Sequence, residues 1–109
     1  MPDDRPTIST HVLDTGTGQP AKGVRVICLL LAGDRVQAAG GGMTDADGRI
    51  RDVLEGRKLV RGVYRLSFEL GPHRFFEAAT VDVRIDDASR SYHIPLLVAP
   101  FGLSTYRGS

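Results

Sequence analysis

Apolar residues in this chain recur with period two, and no stretch carries a sustained apolar repeat at helical spacing. That spacing sends successive side chains to opposite faces of an extended backbone, so it predicts strands with one buried and one open face. Residues 63–70 place Tyr64, Leu66, Phe68 and Leu70 on one face, with Arg65, Ser67 and Glu69 on the other. Residues 79–85 do the same with Val81, Val83 and Ile85 against Thr80, Asp82 and Arg84. Further strands are predicted over 7–13, 24–32, 36–43, 92–98 and 103–106, with a short one over 49–53. Apolar residues on both faces of 24–32 predict a strand covered on two sides. Gly33-Asp34 predicts a tight hairpin turn, and Gly40-Gly41-Gly42 a bulge or a close backbone approach. Asp47-Gly48 is the strongest local signal of a turn over 44–48. Seven or eight short antiparallel strands separated by such turns predict an all-β, two-sheet sandwich. The last strand is expected at a sheet edge, where unpaired backbone groups invite pairing with a second copy, so an oligomer is expected.

At 109 residues one domain, residues 1–109, is long enough to bury a core without disulfides or metal, with residues 1–6 expected as a flexible stretch. The lone cysteine, Cys28, lies in the most apolar run and reads as a small buried hydrophobe. With 14 Lys and Arg against 13 Asp and Glu the net charge is +1, and no dense basic stripe is present. Neither a nucleic acid nor a membrane is therefore expected as a partner. The polar start of the chain and the single cysteine lead to an expectation of cytoplasmic residence.

Imidazoles that give and take protons near neutrality are the first candidates for chemistry. His11 and His93 each lie in an alternating strand opposite its clearest apolar partners, on a face that can look into a cleft or an interface. His73 follows Gly71-Pro72 and reads as a solvated loop residue. Arg49 and Arg107 each adjoin a glycine that can bring backbone close to a ligand, and a guanidinium offers a planar fork to paired oxygens. A calcium loop at Asp45 to Gly48 is excluded, because its first and twelfth positions would hold Met43 and Leu54. No HxH or HExxH spacing supports a zinc site from His11, His93 and Asp14. The end of the chain pairs a turn at Pro100 to Gly102 with a short β-prone run. Tyr106, Arg107, Gly108 and Ser109 then bring an aromatic ring, a guanidinium, a permissive glycine and a hydroxyl into four consecutive positions, which reads as part of a site. The residues alone lead to an oligomeric β-sandwich with two histidines available for proton transfer.

Four segments occur in a fixed order: His11 to Asp14 followed by Gly18-Gln19-Pro20-Ala21, the Thr44 to Arg49 turn, His93 to Leu97, and Pro100 to Ser109. Together they resemble the 5-hydroxyisourate hydrolases, the transthyretin-like enzymes of urate breakdown, over nearly the whole chain. Tyr106-Arg107-Gly108-Ser109 is the most specific element, since it separates the hydrolases from transthyretin, the hormone carrier of the same fold. The resemblance implies a transthyretin-like fold and opening of the cyclic amide of 5-hydroxyisourate, giving 2-oxo-4-hydroxy-4-carboxy-5-ureidoimidazoline, with no metal or organic cofactor. It implies His11, Arg49, His93 and Ser109 as catalytic residues, and His11, Arg49, Tyr106, Arg107, Gly108 and Ser109 around the substrate. It also implies a homotetramer, a dimer of dimers with its sites in the channel between dimers. Two departures stand out. Relatives carry a short helix before the strand at 79–85, for which only 71–78 is available here, so that helix is expected to be shortened or lost. Leu103 stands where tyrosine is common. A carrier that binds without reacting, or an interaction module without a site, would share the fold.

Overall fold

The computed structural model describes residues 5–108. Among them the chain forms nine strands and no helix: β1 (Ile8–Asp14), β2 (Gln19–Pro20), β3 (Arg25–Ala32), β4 (Arg35–Met43), β5 (Arg49–Ile50), β6 (Gly62–Glu69), β7 (Ala78–Ile85), β8 (Tyr92–Val98) and β9 (Leu103–Thr105). One sheet runs β4-β3-β6-β7 and the other β2-β1-β8-β9, with β5 also pairing with β1. Of the residues expected to form a flexible start, 1–4 lie outside the described residues, and the Arg5 guanidinium donates to the Gly56 carbonyl at 2.7 Å.

One pairing departs from the antiparallel expectation. β1 and β8 run parallel, from Ile8 opposite Tyr92 to Asp14 opposite Val98. Local alternation carries no information on strand direction, and a parallel pair needs a long crossover, supplied here by the whole second sheet.

The inward faces meet as the periodicity requires. Ile8, Val12 and Leu96 pack with Tyr64, Leu66 and Phe68 from the other sheet, each at most 2% exposed. Polar atoms in this layer are paired: Thr10 Oγ1 donates to the Ile94 carbonyl at 2.6 Å, and the Val60 N–H donates to Tyr64 Oη at 3.1 Å. Cys28 is buried among these residues, and burial pushes its thiol up to about 11, which leaves it inert as a nucleophile. The expected irregularity near the three glycines is a bulge, since Cys28 opposes Gly40 while Leu29 opposes Ala38.

The outer face of β3 is not covered as expected: Ile27 is 41% exposed, because no second layer packs on that side of its sheet among the described residues. β5 is also shorter than the expected 49–53. Val53 and Leu54 leave the ladder and turn into the core, where both are fully buried. The segment between β6 and β7 holds no helix, in line with its length. Arg74 ties it down instead, with Nη2 2.7 Å from Asp14 Oδ2 and Nη1 donating to the Leu70 carbonyl at 3.0 Å.

Two glycines with the same backbone conformation separate strain from close approach. Gly48 has φ +76° and its missing Cβ would lie 2.4 Å from the Val12 carbonyl oxygen, whereas Gly18 has φ +75° with nothing within 4 Å. Gly18→Ala should cost the left-handed strain alone, roughly 1–2 kcal/mol, and Gly48→Ala distinctly more. Urea midpoints measure both, and equal losses would contradict the close packing of the turn on β1.

Candidate active site

Strand register assembles the site. The inward face of β1 carries Ile8, Thr10 and Val12, so Ser9 and His11 point outward. His11 lies opposite Arg49 of β5 on one side and Pro95 of β8 on the other. Ser9 lies opposite His93 of β8, and His93 in turn lies opposite Gly108. Two adjacent rows therefore cross the outer face of the sheet: Arg49, His11, Pro95, and beside it Ser9, His93, Gly108.

The turn before β5 is built by Asp45. Its Oδ1 accepts from the backbone N–H of Asp47 at 2.9 Å and of Arg49 at 3.0 Å. The hydrogen bond from Arg49, above all, holds the Asp45 carboxyl below the usual carboxylate range, so it stays charged and the turn stays closed. The Val12 N–H donates to the Gly48 carbonyl at 2.7 Å, which pins the turn to β1 just beside His11.

The chain's end is held from two sides. Arg107 Cζ lies 5.1 Å from the centroid of the Tyr92 ring, a cation–π contact. Tyr92 is itself fixed, since its hydroxyl donates to the Asp87 carbonyl at 2.9 Å and accepts from the Asp87 N–H at 3.1 Å. One residue further, the Gly108 N–H donates to the His93 carbonyl at 2.7 Å. A Cβ on Gly108 would sit 2.6 Å from His93 Cδ2, so only glycine lets the tail lie against this ring.

His93 is half-buried, with Nδ1 2.8 Å from Ser9 Oγ. Desolvation first, then the charges of Arg49 and His11, push the imidazole below its ordinary 6.5, so it is neutral at neutral pH. Together with Ser9, Arg49, Arg90, Arg107 and Gly108 it lines a concavity of about 520 Å³ that holds three guanidinium groups and, among the described residues, no carboxylate. Such a lining suits an oxygen-rich ligand on which negative charge develops. A cavity of about 540 Å³ opens between β7 and the β8–β9 edge, but Val81, Val83, Ile94 and Tyr106 line it and no histidine does. Of these two cavities, the one at His93 sets an imidazole beside guanidinium groups.

Of the residues singled out from sequence, Arg49, His93, Arg107 and Gly108 share the concavity. His11 stands on the same face as the ladder partner of Arg49. Tyr106 lines the neighbouring cavity instead and is 54% exposed, and Ser109 lies outside the described residues. Ser9, Asp45 and Arg90 were not singled out. Alternation alone puts Ser9 on the face of His11, whereas its contact with His93 depends on register between segments 84 residues apart. Among the described residues no three His, Cys, Asp or Glu side chains converge to hold a metal, and no helix is long and apolar enough to cross a membrane.

A family model described as the HIUase/Transthyretin family matches residues 8–108. The 5-hydroxyisourate hydrolase of Caulobacter vibrioides is 38% identical in an alignment of 113 positions that covers 94% of this chain and 97% of that protein. The structure of Klebsiella pneumoniae 5-hydroxyisourate hydrolase superposes with a TM-score of 0.82 at 36% identity, covering 95% of this chain and 99% of that one. Sea bream transthyretin in complex with thyroxine superposes with a TM-score of 0.82 at 27% identity, covering 93% of each chain.

Titration of the His93 ring by NMR should give a pKa below the ordinary 6.5. Replacing Arg49 by glutamine removes a neighbouring positive charge, which makes protonation easier, so the value should rise in Arg49→Gln. An unchanged or lower value would remove Arg49 from the surroundings of the ring.

Proposed function

The chain belongs to the HIUase/Transthyretin family, and from that premise we propose that it is a hydrolase of 5-hydroxyisourate. It opens the cyclic amide to give 2-oxo-4-hydroxy-4-carboxy-5-ureidoimidazoline in urate degradation. The observation that carries this reading is the half-buried His93 imidazole, its pKa pushed down by desolvation, set beside Arg49 and Arg107 in a concavity with no carboxylate among its described lining residues. A carrier has no need of an imidazole kept unprotonated among guanidinium groups, whereas water activation does. The names of the Caulobacter and Klebsiella relatives agree.

In this mechanism the oxygen of water bonds to the ring carbonyl carbon while its proton passes to an imidazole. The C–N bond then breaks and the departing nitrogen takes up a proton, so that one amide bond and one water are consumed. His11 and His93 divide the two proton transfers. Arg49 presents its fork to the carbonyl oxygen and offsets the negative charge that grows there. Arg107 and Gly108 form the wall beside His93.

The reading includes a homotetramer, a dimer of dimers, of single domains spanning 1–109 in the cytoplasm. Support for assembly comes from the sheet edges: among the described residues β9 pairs only with β8, and β7 only with β6. Exposed Phe101 and Tyr106 flank β9.

The test generates 5-hydroxyisourate with urate oxidase and follows its ultraviolet decay with and without the protein. Acceleration over the spontaneous rate is expected, and its absence would remove the hydrolase reading. Arg49→Lys keeps the charge and loses the fork, so kcat/KM should fall by about tenfold or more, the scale of a lost charge-stabilising donor. Near-normal turnover by that variant would sink the role of Arg49.

A further inference from the structure

Proton chemistry at His93 turns on which ring nitrogen faces the ligand, and the packing of the ring decides it. Both atoms bonded to Cγ are covered: Nδ1 by the Ser9 hydroxyl at 2.8 Å, and Cδ2 by Gly108, which approaches so closely that a Cβ there would sit 2.6 Å away. The edge left open is Cε1–Nε2. Nε2 is therefore the ring nitrogen available to the concavity.

The direction of the hydrogen bond at Nδ1 sets what Nε2 offers. Serine can donate or accept, so Ser9 is compatible with either neutral tautomer. The surrounding charges are not. Arg49 and His11 lie close enough to act on the ring, and Arg90 and Arg107 line the same concavity, with no carboxylate among its described lining residues. An N–H pointing into that cationic space is opposed, while a lone pair pointing into it is favoured. The proton accordingly belongs on Nδ1, where it is donated to Ser9 Oγ.

We propose that Ser9 is a positioning residue that holds the Nδ1–H tautomer of His93, so that Nε2 presents a lone pair and His93, rather than His11, is the base. The inference rests on the hydrolase reading for its catalytic part. When water attacks, its proton passes to Nε2 and the ring becomes an imidazolium. The Nδ1–H to Ser9 bond then becomes charge-assisted and strengthens as the transition state is approached. A hydroxyl at this place orients the ring without adding the negative charge that a carboxylate would bring. The ring therefore stays neutral until water gives up its proton, and the partner of Nδ1 selects the tautomer as outer partners of functional histidines do elsewhere. His11 is left to assist the departing nitrogen.

Long-range 1H–15N correlation spectra of uniformly labelled protein at neutral pH read the tautomer directly. The expected spectrum shows His93 protonated at Nδ1 and bare at Nε2. Ser9→Ala should lose that preference and lower kcat by about tenfold or more with KM changed by less than about twofold. Ser9→Thr, which restores the hydroxyl, should keep the tautomer and hold kcat within about threefold. A native spectrum with the proton on Nε2, or a Ser9→Ala variant with the native tautomer and native kcat, would overturn the proposal. A chain inactive toward 5-hydroxyisourate, yet losing its Nδ1–H preference in Ser9→Ala, would sink the hydrolase reading while leaving the tautomer assignment standing.

Discussion

The parallel register between β1 and β8 is the constraint on which the rest of the site depends. It sets Ser9 against His93 and His11 against Pro95, and β5 adds Arg49 to the row of His11. Because side chains alternate across a strand, a slip of one residue would send Ser9 and His11 into the core and bring Thr10 and Val12 out. The apolar layer forbids that: Ile8 and Val12 are fully buried, and Thr10 donates inward to the Ile94 carbonyl. The forces that exclude water from the sandwich thus also fix the spacing of the polar face. The site needs no separate scaffold.

Electrostatics on that face follow from the same placement. Partial burial of His93 raises the cost of a positive charge there, and the neighbouring charges of Arg49 and His11 raise it further. The carboxylate that helps to build the turn, Asp45, spends its hydrogen bonds on the backbone N–H groups of Asp47 and Arg49. Arg49 therefore reaches the face with its position determined by the backbone, and among the described residues no carboxylate pairs with its fork. A neutral base next to cationic donors is a combination water rarely permits, since free solvent would screen the arginines and let the imidazole titrate normally.

What the sequence disclosed and what it withheld divide along local and non-local information. Residues 92–98 alternate so regularly that β8 is read to the residue, and the faces of His11 and His93 follow from period two. Direction of pairing does not, because two strands look the same locally whether they run parallel or antiparallel; β1 with β8 is the case in point. The strand expected over 49–53 overruns β5 because Val53 looks like further strand, yet tertiary burial draws it out of the ladder. Within the site, Arg49 and Arg107 were legible from an adjoining glycine. Ser9 and Arg90 were not, since their meaning arises only when distant segments meet. Asp45 was overshadowed by the stronger turn signal of Asp47-Gly48, although its own side chain closes the turn.

The carboxyl-terminal segment joins these threads. Three contacts act in sequence: Tyr92 is clamped by Asp87, Arg107 stacks on Tyr92, and Gly108 bonds the carbonyl of His93. Tyr92 and His93 are neighbours on β8 facing opposite ways, so the inward residue and the outward residue of one strand grip the same tail. Ordering a terminus is entropically unfavourable, and a single surface contact does not offset it. Here the contacts are consecutive, and the last of them is also one wall of the concavity. The tail is therefore ordered by the same strand whose histidine it covers, and any change that loosens β8 will open the site from both directions at once.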